Sequence, residues 1–382
     1  MSTIFDHKHI VLCGDHYNPL GIVRSLGEEG IKPIVVLVGK HAYLVNHSSY
    51  VGVLHRVLTN EEGLNLIIEK YGHEPIKPFI YTGSDDTTEL LDQHYDELID
   101  HFYFFNDGKQ GLLTFYNHKT EQLKIANAAG INIPKSQSLK TGVLPSGLKY
   151  PVLTKVIMST QGAWKDDVFI CKNEQQLAEA YKHIKAEEIL VQEFVEKQNE
   201  LCVDGVSIDG GKEVFISYTS EYIRFTKKSY GDYFWMKQYN NEIVKEKIRN
   251  IIKATHYSGI FCLECLIDKS GELYFLETNF RNSGWSYAHT CGGVNLPIIW
   301  AKSTLAGHIP TDEIKMENRP YKAMVEPSEL LSSVVRECQV SLWQWIKDVR
   351  SCKCHIYYNK KDKLPLLTFV WGRFLTALRN RF

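Results

Sequence analysis

Short apolar runs broken by polar loops fill the first hundred residues and predict the strands of a parallel sheet. The run His9-Ile-Val-Leu-Cys13 reads as a strand followed by a polar loop over 14–19. A helical stretch over 20–29 stops at Gly30, and a second strand covers 33–38. That order opens a βαβ layer. A further strand over 78–81 runs into Thr82-Gly-Ser-Asp-Asp86, and a helix expected over 87–102 turns Leu90, Leu91 and Leu98 to the core.

Near Tyr116 the pattern changes to short helices between alternating strands. A helix over 118–130 ends at Gly130, a strand over 151–155 ends at Lys155, and a polar loop leads to a strand over 168–171 and a helix over 174–183. The run over 188–195 reads as a strand entering a linker, followed by strands over 201–208 and 213–219 and a helix over 241–254. A hairpin then joins 259–268 to 272–278 through a turn at 269–271. No internal repeat is visible. These changes divide the chain into an N-terminal α/β domain (1–115), a mixed domain (116–318) with a small lid at about 151–190, and an extension (319–382). In the extension Leu367, Val370, Trp371, Phe374, Leu375, Leu378 and Phe382 recur at helical spacing, with Arg373, Arg379 and Arg381 adding charge. Two readings of this basic amphipathic helix stay open. It packs on its own chain or a second subunit, as in a homodimer, or it lies peripherally on an anionic inner-membrane surface.

With 44% apolar and 23% charged residues over 382 positions, the chain reads as a globular protein with a sizeable core. A net charge of -1 offers no global attraction to nucleic acid. No apolar run reaches the length of a membrane span, and the run at Ile10 is too short for a signal peptide. Nine cysteines are an odd number, and the one CxxC spacing, Cys262 to Cys265, brackets a sequence that reads as a strand; this argues against a disulfide or zinc framework and fits reduced thiols in a cytoplasm. The first loop has Gly14 and Gly21 with Pro19 between them, not the close glycine spacing that lets backbone approach a dinucleotide. The first sheet is therefore read as one wall of a substrate cleft.

The hairpin carries the strongest chemistry. Alternation puts Cys262, Glu264 and Leu266 on one face of its first strand, and Glu277, Asn279 and Arg281 on one face of its second. Folding at Ser270-Gly271 brings Glu264 near Glu277. Two carboxylates in an apolar hairpin repel unless a cation lies between them, and hard oxygen ligands suit magnesium shared with phosphates. Arg281 is placed to hold a phosphate or a developing negative charge. The competing reading is a solvent-facing polar stripe.

Glu264, Glu277 thirteen positions on, Asn279 and Arg281 resemble the magnesium and phosphate motif of the ATP-grasp superfamily, and the resemblance extends over about 117–297. It implies an ATP-grasp fold of α/β and α+β parts, with a Rossmann-like pre-ATP-grasp domain and a lid. It implies ATP and magnesium as cofactors, with two ions, or manganese in their place, held by Glu264, Glu277 and Asn279. Lys119 and Lys155 match the family's phosphate lysines, as compact cations facing mobile oxygens. The stretch 190–195 resembles the adenine hinge, where backbone of Glu193 and Val195 would bond the base, with Gln192 near its amino group. Glu200 matches the ribose-binding acid. The lid loop 159–165 departs from the glycine-rich form, with Gly162 alone and a bulky Trp164, so Thr160, Gln161 and Lys165 would work through side chains.

Within the superfamily, 18–26, 82–86, 257–261 and 293–297 resemble D-aspartate ligase-like enzymes. The activity implied is ATP-dependent joining of a small-molecule carboxylate to an amine through an acyl phosphate. Arg224 would grip a substrate carboxylate, and His289 either touches the acceptor or is a hydrogen-bonded loop histidine. Cys291 lacks a partner that would make it a nucleophile. Carbamoyl-phosphate-type synthesis, carboxylation and a non-catalytic ATP sensor are the alternatives; no biotinyl segment is visible for the second.

Overall fold

The computed structural model describes residues 2–157, 167–226 and 230–379. Four parallel strands, β1 (His9–Cys13), β2 (Ile34–Val38), β3 (Val53–Val57) and β4 (Phe79–Thr82), form a sheet in the order β3-β2-β1-β4. The strands β1, β2 and β4 are nearly all buried, which is why they read as unbroken apolar runs rather than alternating ones. The helix Tyr17–Glu28 begins earlier than its apolar pattern suggests, because His16 caps Asn18 N–H and the first turn accepts Pro19. The helix expected over 87–102 is two pieces, Asp85–Gln93 and Tyr95–Leu98, the first capped by Ser84.

A small antiparallel sheet follows: β5 (Ser136–Lys140), β6 (Val152–Val156), β7 (Ile170–Cys171) and β8 (Glu188–Glu193), in the order β5-β8-β6-β7. Val152, Leu177, Tyr181, Ile189 and Val191 give it a core of its own, so it is built as a separate lid. The linker 194–196 leads into the large sheet of β9 (Lys197–Ile208), β10 (Glu213–Arg224), β11 (Tyr233–Gln238), β12 (Gly259–Asp268), β13 (Leu273–Asn279), β14 (Tyr321–Met324) and β15 (Cys354–His355). Its order is β13-β12-β9-β10-β11-β14-β15, antiparallel except for the last pair.

The segment 319–382, expected as an extension, supplies β14 and β15 and returns to the N-terminal domain. There Arg24, fully buried, donates to Asp362 Oδ2 at 3.0 Å and to the Ile356 and Tyr357 carbonyls at 2.8 and 2.9 Å. The helix Leu364–Arg379 packs one face on its own chain, through Phe369 against Tyr357 and a Thr368 hydroxyl on the Tyr43 carbonyl. Leu364, Leu367, Val370 and Trp371 remain exposed on it. Among the described residues no helix is long and apolar enough to cross a membrane.

Candidate active site

Strand register builds the acidic centre. In the β12–β13 pair Glu264 stands opposite Glu277 and Cys262 opposite Asn279. The turn closes tightly because Gly271 takes φ +86°, which an L side chain rarely adopts, and the Asp268 carboxylate caps the N–H groups of Ser270 and Glu272. Asn279 Nδ2 donates to Glu264 Oε1 at 3.1 Å, and Arg281 Nη2 donates to Asn279 Oδ1 at 2.9 Å. Burial, then the charges of Glu277 and Glu200, push the Glu264 carboxyl well above its ordinary range. Arg281 and Lys155 offset only part of this repulsion, and a divalent cation between the carboxylates would relieve the rest.

The helix Lys119–Ala128 is fixed to this edge by one side chain. Gln122 Nε2 donates to the Thr278 carbonyl at 2.9 Å and its Oε1 accepts Thr278 N–H at 2.8 Å, completing the outer edge of β13 as a neighbouring strand would. Lys119, at the head of that helix, thereby lines a cavity of about 70 Å³ with Asp85, Glu277, Asn279 and Arg281. Lys155, near the end of β6, faces the same centre. Its ammonium is lowered to about 8, chiefly by desolvation and also by Lys119, against the opposing pull of Glu277, Glu200 and Glu264. A cation so destabilised binds a phosphate strongly.

The hinge residues lie where the lid joins the large sheet. Gln192 is buried and its amide donates to Ser136 Oγ at 2.9 Å. Glu193 ends β8, with its side chain accepting Lys149 N–H at 2.8 Å and its own N–H given to the Lys135 carbonyl. Val195 lies in the linker beyond. Glu200 is paired with Lys197 and sits on β9, two residues from Cys202, which faces Glu264.

Two contacts were not legible in the sequence. Asp85, at the start of the helix after β4, accepts Arg281 Nε at 2.6 Å and aims the guanidinium. Asn18 Nδ2 donates to the carbonyls of Gly83 and Asn282, both at 2.8 Å, and its Oδ1 accepts Asn282 Nδ2. These bonds tie the loops at the ends of β1 and β4 to the end of β13. A ligand crevice is expected at that point, where strand order reverses, and this was the available signal.

One expectation is corrected, and one open alternative is narrowed. Arg224 does not offer a free guanidinium: it is held by Glu329 and Asp348, so its charge is already neutralised by two carboxylates. His289 is wholly buried in the helix Ser286–Cys291, with Ser217 Oγ at 2.8 Å and Asp204 at 3.3 Å, which agrees with the hydrogen-bonded reading, on a helix rather than in a loop. Thr160, Gln161, Trp164 and Lys165 lie outside the described residues.

Residues 119–218 match the family model of the RimK-like ATP-grasp domain. The chain is 22% identical over 329 residues to a D-aspartate ligase of Enterococcus faecium, covering 78% of this chain and 76% of that one. Its fold resembles an L-amino acid ligase from Bacillus licheniformis (TM-score 0.61, 16% identity, 83% of this chain and 79% of that one). It also resembles a biotin carboxylase from Campylobacter jejuni solved with a β,γ-ATP ligand (TM-score 0.67, 16% identity, 84% and 76%). The fold is the ATP-grasp fold.

Proposed function

For a chain that carries a RimK-like ATP-grasp domain, we propose an ATP-dependent ligase that joins a carboxylate to an amine, one of them an amino acid. The observation that carries this reading is the Glu264–Glu277 pair, with Asn279, Arg281 and Lys119 on one cleft wall. The donor set fits magnesium: two carboxylates and an amide oxygen, all hard, with the Glu264 anion disfavoured by burial and by Glu277 until a cation joins them. Bound there with ATP, magnesium would draw charge off the phosphates and ease their transfer.

This chain's own residues have distinct tasks in that chemistry. Lys119 and Lys155 hold phosphate oxygens, the hinge around Gln192, Glu193 and Val195 seats the base, and Glu200 accepts ribose hydroxyls. The substrate carboxylate oxygen attacks the γ-phosphorus as the bond to ADP breaks. The amine nitrogen then attacks the acyl carbon, phosphate leaves, and the amine proton passes to solvent. Arg281, steadied by Asp85, offsets negative charge in both steps. The lid excludes water from the hydrolysable acyl phosphate. A cavity of about 390 Å³ lined by Tyr17, Asp232, Arg336, Tyr357, Phe369 and Arg373 supports a substrate site here, because His16 and Tyr17 on its wall lie within electrostatic reach of Arg281.

ADP release with magnesium, pooled D- and L-amino acids and candidate carboxylates tests the reading, with Glu277→Gln as control. Release that requires both an acid and an amine and disappears in the variant is expected. Nucleotide binding without turnover above the variant on any pool would sink it.

A further inference from the structure

The acidic centre has a second side that the ligase reading does not use. Cys202 and Cys262 lie on neighbouring strands, and the β9–β12 register sets Glu264 directly opposite Cys202 and Cys262 opposite Asp204. The two cysteines are therefore diagonal neighbours on the sheet face that carries Glu264. Cys262 Sγ lies 3.9 Å from Glu264 Oε1. One atom from each of the three residues falls within 4.8 Å of the others. Tetrahedral zinc holds sulfur at about 2.3 Å and carboxylate oxygen at about 2.0–2.2 Å, which places neighbouring ligands about 3.5–3.8 Å apart. The observed spacing needs only small side-chain rotations to reach this.

We propose that Cys202, Cys262 and Glu264 form a binding site for a thiophilic divalent cation of the zinc class, and that this cation competes with magnesium for Glu264. Thiolates select zinc and cadmium over magnesium, which prefers oxygen alone. Both cysteines are buried while Glu264 is half-buried, so the ion enters from the cleft along the carboxylate. Three protein ligands leave a fourth position open towards that cleft. Once Glu264 turns to the sulfurs, it is withdrawn from Glu277 and Asn279. The cation site rests on the spacing of these three side chains, whereas the competition rests on the proposed magnesium role of Glu264.

Cadmium chloride titrated into the full-length, chelator-treated protein without nucleotide tests the site by its thiolate-to-metal charge-transfer absorption. One cadmium per chain is expected, with the band lost in the Cys202→Ser, Cys262→Ser double variant and kept in Cys338→Ser, whose thiol is exposed. Glu264→Gln should weaken binding by about tenfold or more. X-ray absorption of the zinc-loaded wild type, which needs no variant to fold, should show two sulfur neighbours at about 2.3 Å. A band unchanged in the double variant, or a zinc shell of nitrogen and oxygen only, overturns the proposal. Magnesium-dependent ADP release without the band would remove the cation site and leave the ligase reading standing. The band in a protein that releases no ADP on any pool would support the site while the ligase reading fails. Zinc that raises the magnesium needed for half-maximal ADP release in wild type, and not in the double variant, supports the competition.

Discussion

Replacing Arg24 by methionine should release the C-terminal segment from the N-terminal domain. Arg24 and Asp362 are both fully inaccessible to solvent, so neither charge is stabilised by water. The guanidinium satisfies the Ile356, Tyr357 and Asp362 carbonyls besides the Asp362 carboxylate, which also accepts the Ser48 hydroxyl and Ser49 N–H at 2.9 and 2.8 Å. Arg24→Met keeps much of the side-chain volume but leaves a buried carboxylate without its cation. Removing one partner of such a pair costs about 3–5 kcal/mol, against about 0–1 kcal/mol for an exposed pair. A local opening reads this cost more cleanly than global unfolding, since several domains need not unfold together. Native-state hydrogen exchange at residues 44–49 and 354–363 should lose protection by roughly three orders of magnitude, each factor of ten being about 1.4 kcal/mol. The double variant Arg24→Met, Asp362→Leu should recover part of the loss, because no unpaired charge remains. A change within about 1 kcal/mol in Arg24→Met would refute the clamp and mean that the segment is held by apolar packing alone.

Acid should weaken the N-terminal sheet through His9. Burial lowers its pKa from 6.5 to about 4, and Nε2 donates to the Ile4 carbonyl while Nδ1 accepts the Tyr81 hydroxyl. The unfolded chain binds a proton below pH 6.5 and the folded one does not until about 4. Stability is thus full above that window and falls by about 3 kcal/mol across it. His9→Gln should flatten this part of the melting-temperature profile, and a wild-type slope retained in the variant would contradict the assignment. Gln122→Ala removes both amide bonds to Thr278 and should cost about 1–3 kcal/mol in thermal stability while weakening nucleotide binding through Lys119. Unaltered nucleotide affinity in a folded variant would mean that Lys119 is positioned by other contacts. Arg224→Met should lower the melting temperature, because Glu329 and Asp348 lose their cation, and leave KM for both substrates unchanged. A selective rise in KM for the acid would return Arg224 to the substrate site.

Local periodicity was enough for β1, β2 and β4 and for the hairpin that carries Glu264, Glu277, Asn279 and Arg281, but not for β3, whose mostly exposed residues make no apolar run. Two-residue alternation and a glycine turn dictate which side chains share a face, whatever surrounds them. The order of lysines and acids along the chain likewise indicated a nucleotide site. Strand β11 carries no clear alternation in its run of aromatic and polar residues, and β14 and β15 are too short for a pattern to emerge. The partners of Arg281, Arg224 and Gln122 stand 196, 105 and 156 positions away in the chain, beyond any local rule. Arg224 and Arg281 are the same residue type with opposite fates. Tertiary packing brought two carboxylates onto Arg224, whereas Arg281 is steadied by Asp85 and Asn279 and still lines the cleft. The sequence by itself determined the donor atoms, because strand geometry is local. Tertiary structure alone decided which of those charges remain available, because charge neutralisation depends on neighbours that only sheet order and domain docking bring together.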